Sequence, residues 1–211
     1  MSKIEIDTNL YSRQIGTIGM DTMKKLVQLK ILIIGLRGLG IETAKNIILA
    51  GVNKVSLFDP EISTMNDLSS NFFLTENDVK NKKRRDEGCL RKLSELNPNV
   101  NCDIIEGEEI LKNIKTYNII IITEVMNKEK LFLTNDECRK NKIGFIYAAS
   151  IGITGFCFVY FGEHTISDKN GEECKTFIIE LRIIILKKLN EKSLKLWQEK
   201  LSQQWRLQQQ L

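Results

Sequence analysis

Three glycines, Gly35, Gly38 and Gly40, stand in the run GLRGLG, between an apolar stretch at residues 31–34 and a segment of helical period at 41–50. Glycines between a strand and a helix let the backbone turn tightly and approach a neighbour closely. The helix that follows carries partial positive charge at its N-terminus, which suits a phosphate. The spacing, however, is GxxGxG and not the dinucleotide GxGxxG. Arg37 also lies inside the loop, where a phosphate normally meets bare backbone. On spacing alone, nucleotide binding and simple helix–strand packing are equally open. Asp59 ends the next apolar stretch, directly before Pro60. There it suits a ribose hydroxyl, or the cap of a turn.

Other chemistry has little support. The five cysteines, Cys89, Cys102, Cys138, Cys157 and Cys174, form no CxxC pair. That spacing argues against a structural zinc site and a disulfide framework, and no metal site is expected. Reduced cysteines suit a cytosolic or nuclear protein. His164 is the only histidine, in a turn-like GEH with no nucleophile placed beside it. Arg13, taken alone, reads as a surface arginine on a short helix.

The elements that must position these residues follow from periodicity. Residues 1–10 read as a short arm. Residues 11–29 read as short helices with Asp21 as a cap, their apolar side being Ile15, Ile18, Met23, Leu26 and Val27. A strand at 31–34, a helix at 41–50 ended by Gly51 and a strand at 54–58 make a βαβ unit, whose natural home is a parallel sheet. Residues 66–80 are irregular and then helical. Residues 84–96 are helical, with Leu90, Leu93 and Leu96 on one stripe, broken by Asn97-Pro98-Asn99. Further strands are expected at 101–106, 118–123 and 144–148, with helices at 109–114 and 128–141. The alternating aromatics Phe156, Phe158 and Tyr160 suggest an antiparallel strand at 153–161 on the far side of the sheet. Residues 180–211 form a helical tail rich in Lys, Leu, Trp and Gln.

At 211 residues the chain can hold one α/β domain with a full core. The net charge of +4 is small, and much of it lies in Lys82, Lys83, Arg84, Arg85 and the C-terminal segment. The reading is a solvated surface, with no nucleic-acid partner. The N-terminus lacks the apolar core of a signal peptide, and the longest apolar runs are too short to span a bilayer, so no membrane partner is expected.

The stretch from YSRQ through GLRGLG to NDLSSNFFLTENDV resembles the first half of ubiquitin-activating enzymes. The resemblance continues, more weakly, through GFIYAASIGITGFCFVYFGEH and DKNGEE, and covers roughly residues 9–178. It implies an α/β, Rossmann-like fold, a mostly parallel sheet flanked by helices over residues 1–179; the helical tail at 180–211 departs from the family. It also implies a reaction. Two such halves pair, one binds ATP and magnesium and adenylates ubiquitin, and the other has lost its own site.

The residues here resemble the second kind. Arg37 stands where active halves carry glycine. Ser69 and Ser70 replace an Asn-Arg pair that contacts nucleotide, and Val125 falls at the position of a magnesium-holding aspartate, with Glu124 adjacent. Gly35, Gly38, Gly40 and Asp59 would then be vestigial nucleotide contacts, with no cofactor tightly bound by this chain. Arg13, in the YSRQ-like motif, is the catalytic candidate, reaching in trans into the partner's ATP site. The expected partners are an active adenylation half and ubiquitin or a ubiquitin-like protein, in the cytoplasm and nucleus. The small subunit of a SUMO-activating heterodimer and a self-sufficient nucleotide-dependent enzyme remain as alternatives. Candidate interface residues are Phe72, Phe73 and Leu74; Phe156, Phe158 and Tyr160; and the tail stripe Leu194, Trp197, Leu201 and Trp205.

Overall fold

A computed structural model of the chain describes residues 6–107, 113–152 and 154–163. The arm's first five positions, most of the expected helix at 109–114, Ile153, His164, Cys174, and the tail with its domain boundary lie outside the described residues.

The apolar stretch after residue 29 forms β1 (Lys30–Ile34), followed by α3 (Gly38–Ala50) and β2 (Lys54–Phe58). Two short helices precede them, α1 (Ser12–Ile18) and α2 (Met20–Leu26). After β2 come a 3-10 turn (Asp67–Ser69), α4 (Glu76–Lys80), α5 (Arg85–Ser94) and β3 (Asn101–Ile104). A second 3-10 turn (Ile114–Thr116) leads into β4 (Ile119–Ile122), α6 (Lys128–Lys140), β5 (Gly144–Ile151) and β6 (Thr154–Tyr160). The sheet order is β3-β2-β1-β4-β5-β6, with every pair parallel except β5 and β6. The fold is Rossmann-like.

The pleat divides the core in two. Ile31, Ile33, Val55, Leu57 and Ile121 point to one face, where Ile41, Ala44 and Ile48 of α3 and Cys89 and Leu93 of α5 cover them. Leu32, Ile34, Ile120, Ile122, Phe145 and Tyr147 point to the other, under Cys138 of α6 and Ile114. Strands buried on both faces become continuous apolar runs, which is why Ile119–Ile122 is all isoleucine. Each such side chain, fully buried, stabilises the fold by about 1.5–3 kcal/mol.

Strand order reverses between β1 and β4. In open α/β sheets the loops leaving the C-terminal strand ends diverge at such a point, and ligands bind in the crevice between them. Here one of those loops is the glycine loop, and the other begins at Thr123.

Five expectations shift. Asp21 lies in the first turn of α2, whose N-cap is Gly19, so it complements the helix dipole rather than capping. α3 starts at Gly38, three residues early, because the loop's last glycines are already helical. β3 stops at Ile104, and β5 runs on to Ile151 because β6 pairs along its whole length. Leu74, an interface candidate, is buried in the core, and Phe73 packs partly against it; Phe72 alone of that trio is exposed, at 78%.

Candidate functional site

The glycine loop is held by side chains from three other segments. Gly35 has φ +91°, a conformation that excludes most side chains. Its N–H donates to Phe58 O at 2.9 Å, tying the loop to the end of β2. Thr123 Oγ1 donates to Gly35 O at 2.9 Å, tying it to the end of β4. Leu36 is held at both polar groups: its N–H donates to Asp59 Oδ2 at 2.8 Å, and its carbonyl accepts from Asn71 Nδ2 at 2.9 Å. A Cβ at Gly40 would collide with the carbonyl oxygen of Gly35, so this glycine is required for close packing of helix on loop. Gly38 faces Ser70, whose Cβ would lie 3.0 Å from an added Cβ.

Asp59 is buried and fully committed. Besides Leu36, its carboxylate accepts from Glu61 N–H at 3.2 Å and pairs with Arg85 Nη1 at 3.2 Å. Its own N–H donates to the buried carboxylate of Asp86 at 2.9 Å. Burial pushes the Asp59 carboxyl above its ordinary range, and its hydrogen bonds and Arg85 counteract this only in part. The geometry is that of a turn cap and loop anchor.

The loop itself meets Glu124. A Cβ at Gly35 would land on the Cγ of Glu124. Glu124 Oε1 lies 3.3 Å from Arg37 Nε and 3.7 Å from Arg85 Nη1. It is enclosed and makes no well-aligned hydrogen bond, so these contacts are ion pairs. Burial raises the Glu124 carboxyl, the Asp59 charge raises it further, and Arg37 and Arg85 pull it back. Arg37, in the extended conformation at the N-cap of α3, makes no capping hydrogen bond; its side chain goes to Glu124 instead. Val125 is exposed at the surface. The side chain that reaches the loop from the end of β4 is therefore the carboxylate one position earlier.

Arg85 is the hub that the sequence did not reveal. Together with Arg84 it belonged to a basic run read as solvated surface, yet Arg85 is only 3% exposed. It contacts Asp59, Asp67 (Nε to Oδ2, 3.1 Å) and Glu124. Arg84 pairs with Asp86 and Glu106, and Lys83 with Asp78. The basic run is thus largely neutralised within the fold. Asp59 and Asp67 lie far from Arg85 in sequence, so only tertiary structure brings the three together.

Arg13 lies elsewhere. α1 packs on the C-terminal end of α3: Gln14 Nε2 donates to Ala50 O at 3.0 Å, and the Tyr11 ring sits against Gly51. The thirteen residues of α3 separate that end from the glycine loop by about 20 Å. Arg13 is exposed and makes no ion pair or side-chain hydrogen bond with another described residue. It does not belong to this chain's own loop.

The model of the family described as the ThiF family matches residues 11–177. The chain belongs to the ThiF family. "Ubiquitin-activating enzyme E1 1" of Schizosaccharomyces pombe is 42% identical over 177 residues, covering 82% of this chain and 17% of its own length. "Ubiquitin-like modifier-activating enzyme 1" of Homo sapiens is 37% identical over 173 residues, covering 82% and 16%. This ThiF-family chain thus spans about one sixth of the length of the relatives it matches. The crystal structure of E. coli MccB with MccA-N7isoASN superposes with a TM-score of 0.64 at 19% identity, covering 77% of this chain and 50% of that one, which shows the shared fold. Among the described residues, no helix is long and apolar enough to cross a membrane, and no group of three His, Cys, Asp or Glu is placed to hold a metal.

ATP with magnesium, the cofactor that the sequence resemblance implies, does not fit this loop as it stands. Glu124 occupies the concave side of Gly35, and Arg37 closes over it. Three carboxylates (Asp59, Asp67, Glu124) face two guanidiniums (Arg37, Arg85), which leaves one net negative charge. A polyphosphate would meet both volume and repulsion.

Proposed function

We propose that this chain acts as the supporting, non-catalytic half of a ubiquitin-activating enzyme, pairing with an active adenylation half that binds ATP and magnesium. The observation that carries the reading is a division of labour across α3. At one end the glycine loop is filled by Glu124 and Arg37, and at the other Arg13 is exposed, with no side-chain partner among the described residues. The likeness to ubiquitin-activating relatives supports the choice of modifier.

On this reading Arg13 donates to the phosphates of the partner's nucleotide. A guanidinium stays charged at all physiological pH and can pair bidentately with phosphate oxygens, so it can neutralise charge developing during attack at the α-phosphate. α1 is fixed to Ala50 through Gln14, and Tyr11 is packed on Gly51 and bonded to Asn97 Nδ2 at 2.9 Å, so the arginine projects from a braced element. Ubiquitin or a ubiquitin-like protein is the substrate of the pair, acting in the cytoplasm and nucleus. The test is reconstitution with an adenylating half, followed by pyrophosphate–ATP exchange: the pair exchanges and this chain alone does not. Exchange by this chain alone contradicts the reading.

A further inference from the structure

We propose that Glu124 is a built-in occupant of the glycine loop: its carboxylate, clasped by Arg37 and Arg85, holds the crevice closed to phosphate. This inference deepens the supporting-half reading and rests on it for the idle role of the loop.

Three independent features of the structure converge on Glu124. The first is steric. Gly35 is at φ +91°, and the Cγ of Glu124 fills the space beside it, where a Cβ would stand. The second is charge. Two guanidiniums lie at the loop, the exposed Arg37 beside the N-terminus of α3 and the buried Arg85, and Glu124 Oε1 contacts both, so Arg37 is the cation within reach of a phosphate. The carboxylate thus stands where an anion would be drawn, at a helix N-terminus with two guanidiniums. The third is energetic. Burial and Asp59 hold the Glu124 carboxyl above its ordinary range, and Oε1 finds no aligned donor. Its position is not one that a carboxylate would choose for its own solvation.

The same geometry has a rival consequence. A carboxylate near a phosphate-binding turn is also a hard ligand for magnesium. If Arg37 swung out, Glu124 could recruit the metal instead of excluding the nucleotide. The two roles predict opposite signs for removal of the side chain.

The experiment is calorimetric titration of the whole chain with inorganic tripolyphosphate, and separately with ATP and magnesium. It compares the wild type, Glu124→Ala, Glu124→Gln and the double variant E124A/R37A. Thermal melts confirm that each is folded, and Glu124→Gln keeps the shape of the side chain should the alanine fail to fold. The expected result is no saturable binding by the wild type, and tripolyphosphate affinity at least tenfold higher in both Glu124 single variants. The gain should vanish in the double variant, because Arg37 is the guanidinium set free. Glu124 variants that bind no better than a non-binding wild type overturn the occupant, while the supporting-half reading stands. A wild type that binds ATP only with magnesium, and loses that binding in Glu124→Ala, overturns both.

Discussion

Replacing Asp59 separates two accounts of what holds the glycine loop. If the ion pair with Arg85 is the anchor, the neutral isostere Asp59→Asn should be nearly as damaging as Asp59→Ala. The structure argues otherwise. Arg85 keeps Asp67 at 3.1 Å and Glu124 at 3.7 Å when Asp59 loses its charge, so no isolated buried cation results. Burial has already raised the Asp59 carboxyl, which means that ionisation is harder in the folded chain than in the unfolded one. Removing that charge at pH 7 therefore forfeits little. What alanine removes is an acceptor: Leu36 N–H, bonded at 2.8 Å, is left buried without a partner, and the weaker bond from Glu61 N–H is lost as well. A buried unsatisfied donor costs about 1–3 kcal/mol, and the cavity adds to it. Asp59→Ala should thus cost about 2–3 kcal/mol and Asp59→Asn about 1 kcal/mol, because the asparagine oxygen can still accept from Leu36 N–H while its NH2 must face Glu61 N–H and Arg85. For a chain of this size, thermal midpoints should fall by about 5–10 °C and about 3 °C or less. Urea denaturation and thermal melts monitored by circular dichroism read both numbers. Equal losses in the two variants would refute the hydrogen-bond account in favour of the ion pair.

Two further outcomes follow from neighbouring residues. Gly51 is in the left-handed region at φ +81°, and a Cβ there would meet the Tyr11 ring at 2.6–2.7 Å; Gly51→Ala should cost about 2–3 kcal/mol in a urea titration, from backbone strain plus displacement of Tyr11. It should also slow partner-dependent exchange, because Tyr11 and Gln14 brace the helix bearing Arg13. The second outcome is a pH dependence. The folded-state carboxyl of Glu124 is raised, so its ionisation opposes folding above the ordinary glutamate range, and that penalty fades as pH falls through the raised value. Measured from pH 7 down to about 4.5, the stability difference should shift in favour of the wild type relative to Glu124→Gln. A difference independent of pH would place Glu124 in an ordinary solvated environment.

The βαβ unit was legible because local chemistry alone specifies it. Apolar runs marked β1 and β4, a left-handed glycine closed α3 at Gly51, and α5 closes at Ser94, short of Leu96 and the Asn97-Pro98 break. β6 was legible as antiparallel from its alternating aromatics; Phe156 and Tyr160 pack on the core, with Tyr160 under Arg139, while Phe158 stays partly exposed. The charge network was not legible. Arg85 belonged to a run of four basic residues, which composition assigns to solvent, and its partners come from the end of β2, a 3-10 turn and the end of β4. Asn71, which fixes the Leu36 carbonyl, carries no sequence signal beyond its place after the serine pair. Glu124 and Val125 differ by one position, and on a strand exit one position changes which way a side chain points. Ungapped spacing favoured Val125, while the structure turns Glu124 to the loop.

The central claim is that Arg13 serves a nucleotide held by another half. It is tested most directly by Arg13→Ala in a reconstituted pair, assayed by pyrophosphate–ATP exchange, with assembly followed by sedimentation. Arg13 is exposed and has no side-chain partner among the described residues, so the variant should fold and assemble as the wild type does. Trans arginines in phosphoryl transfer are worth about a thousandfold or more, and attack at the α-phosphate places less charge within reach. The account predicts a loss in exchange rate on the order of tenfold to a hundredfold, with unchanged assembly. An unchanged exchange rate in a fully assembled pair would contradict it.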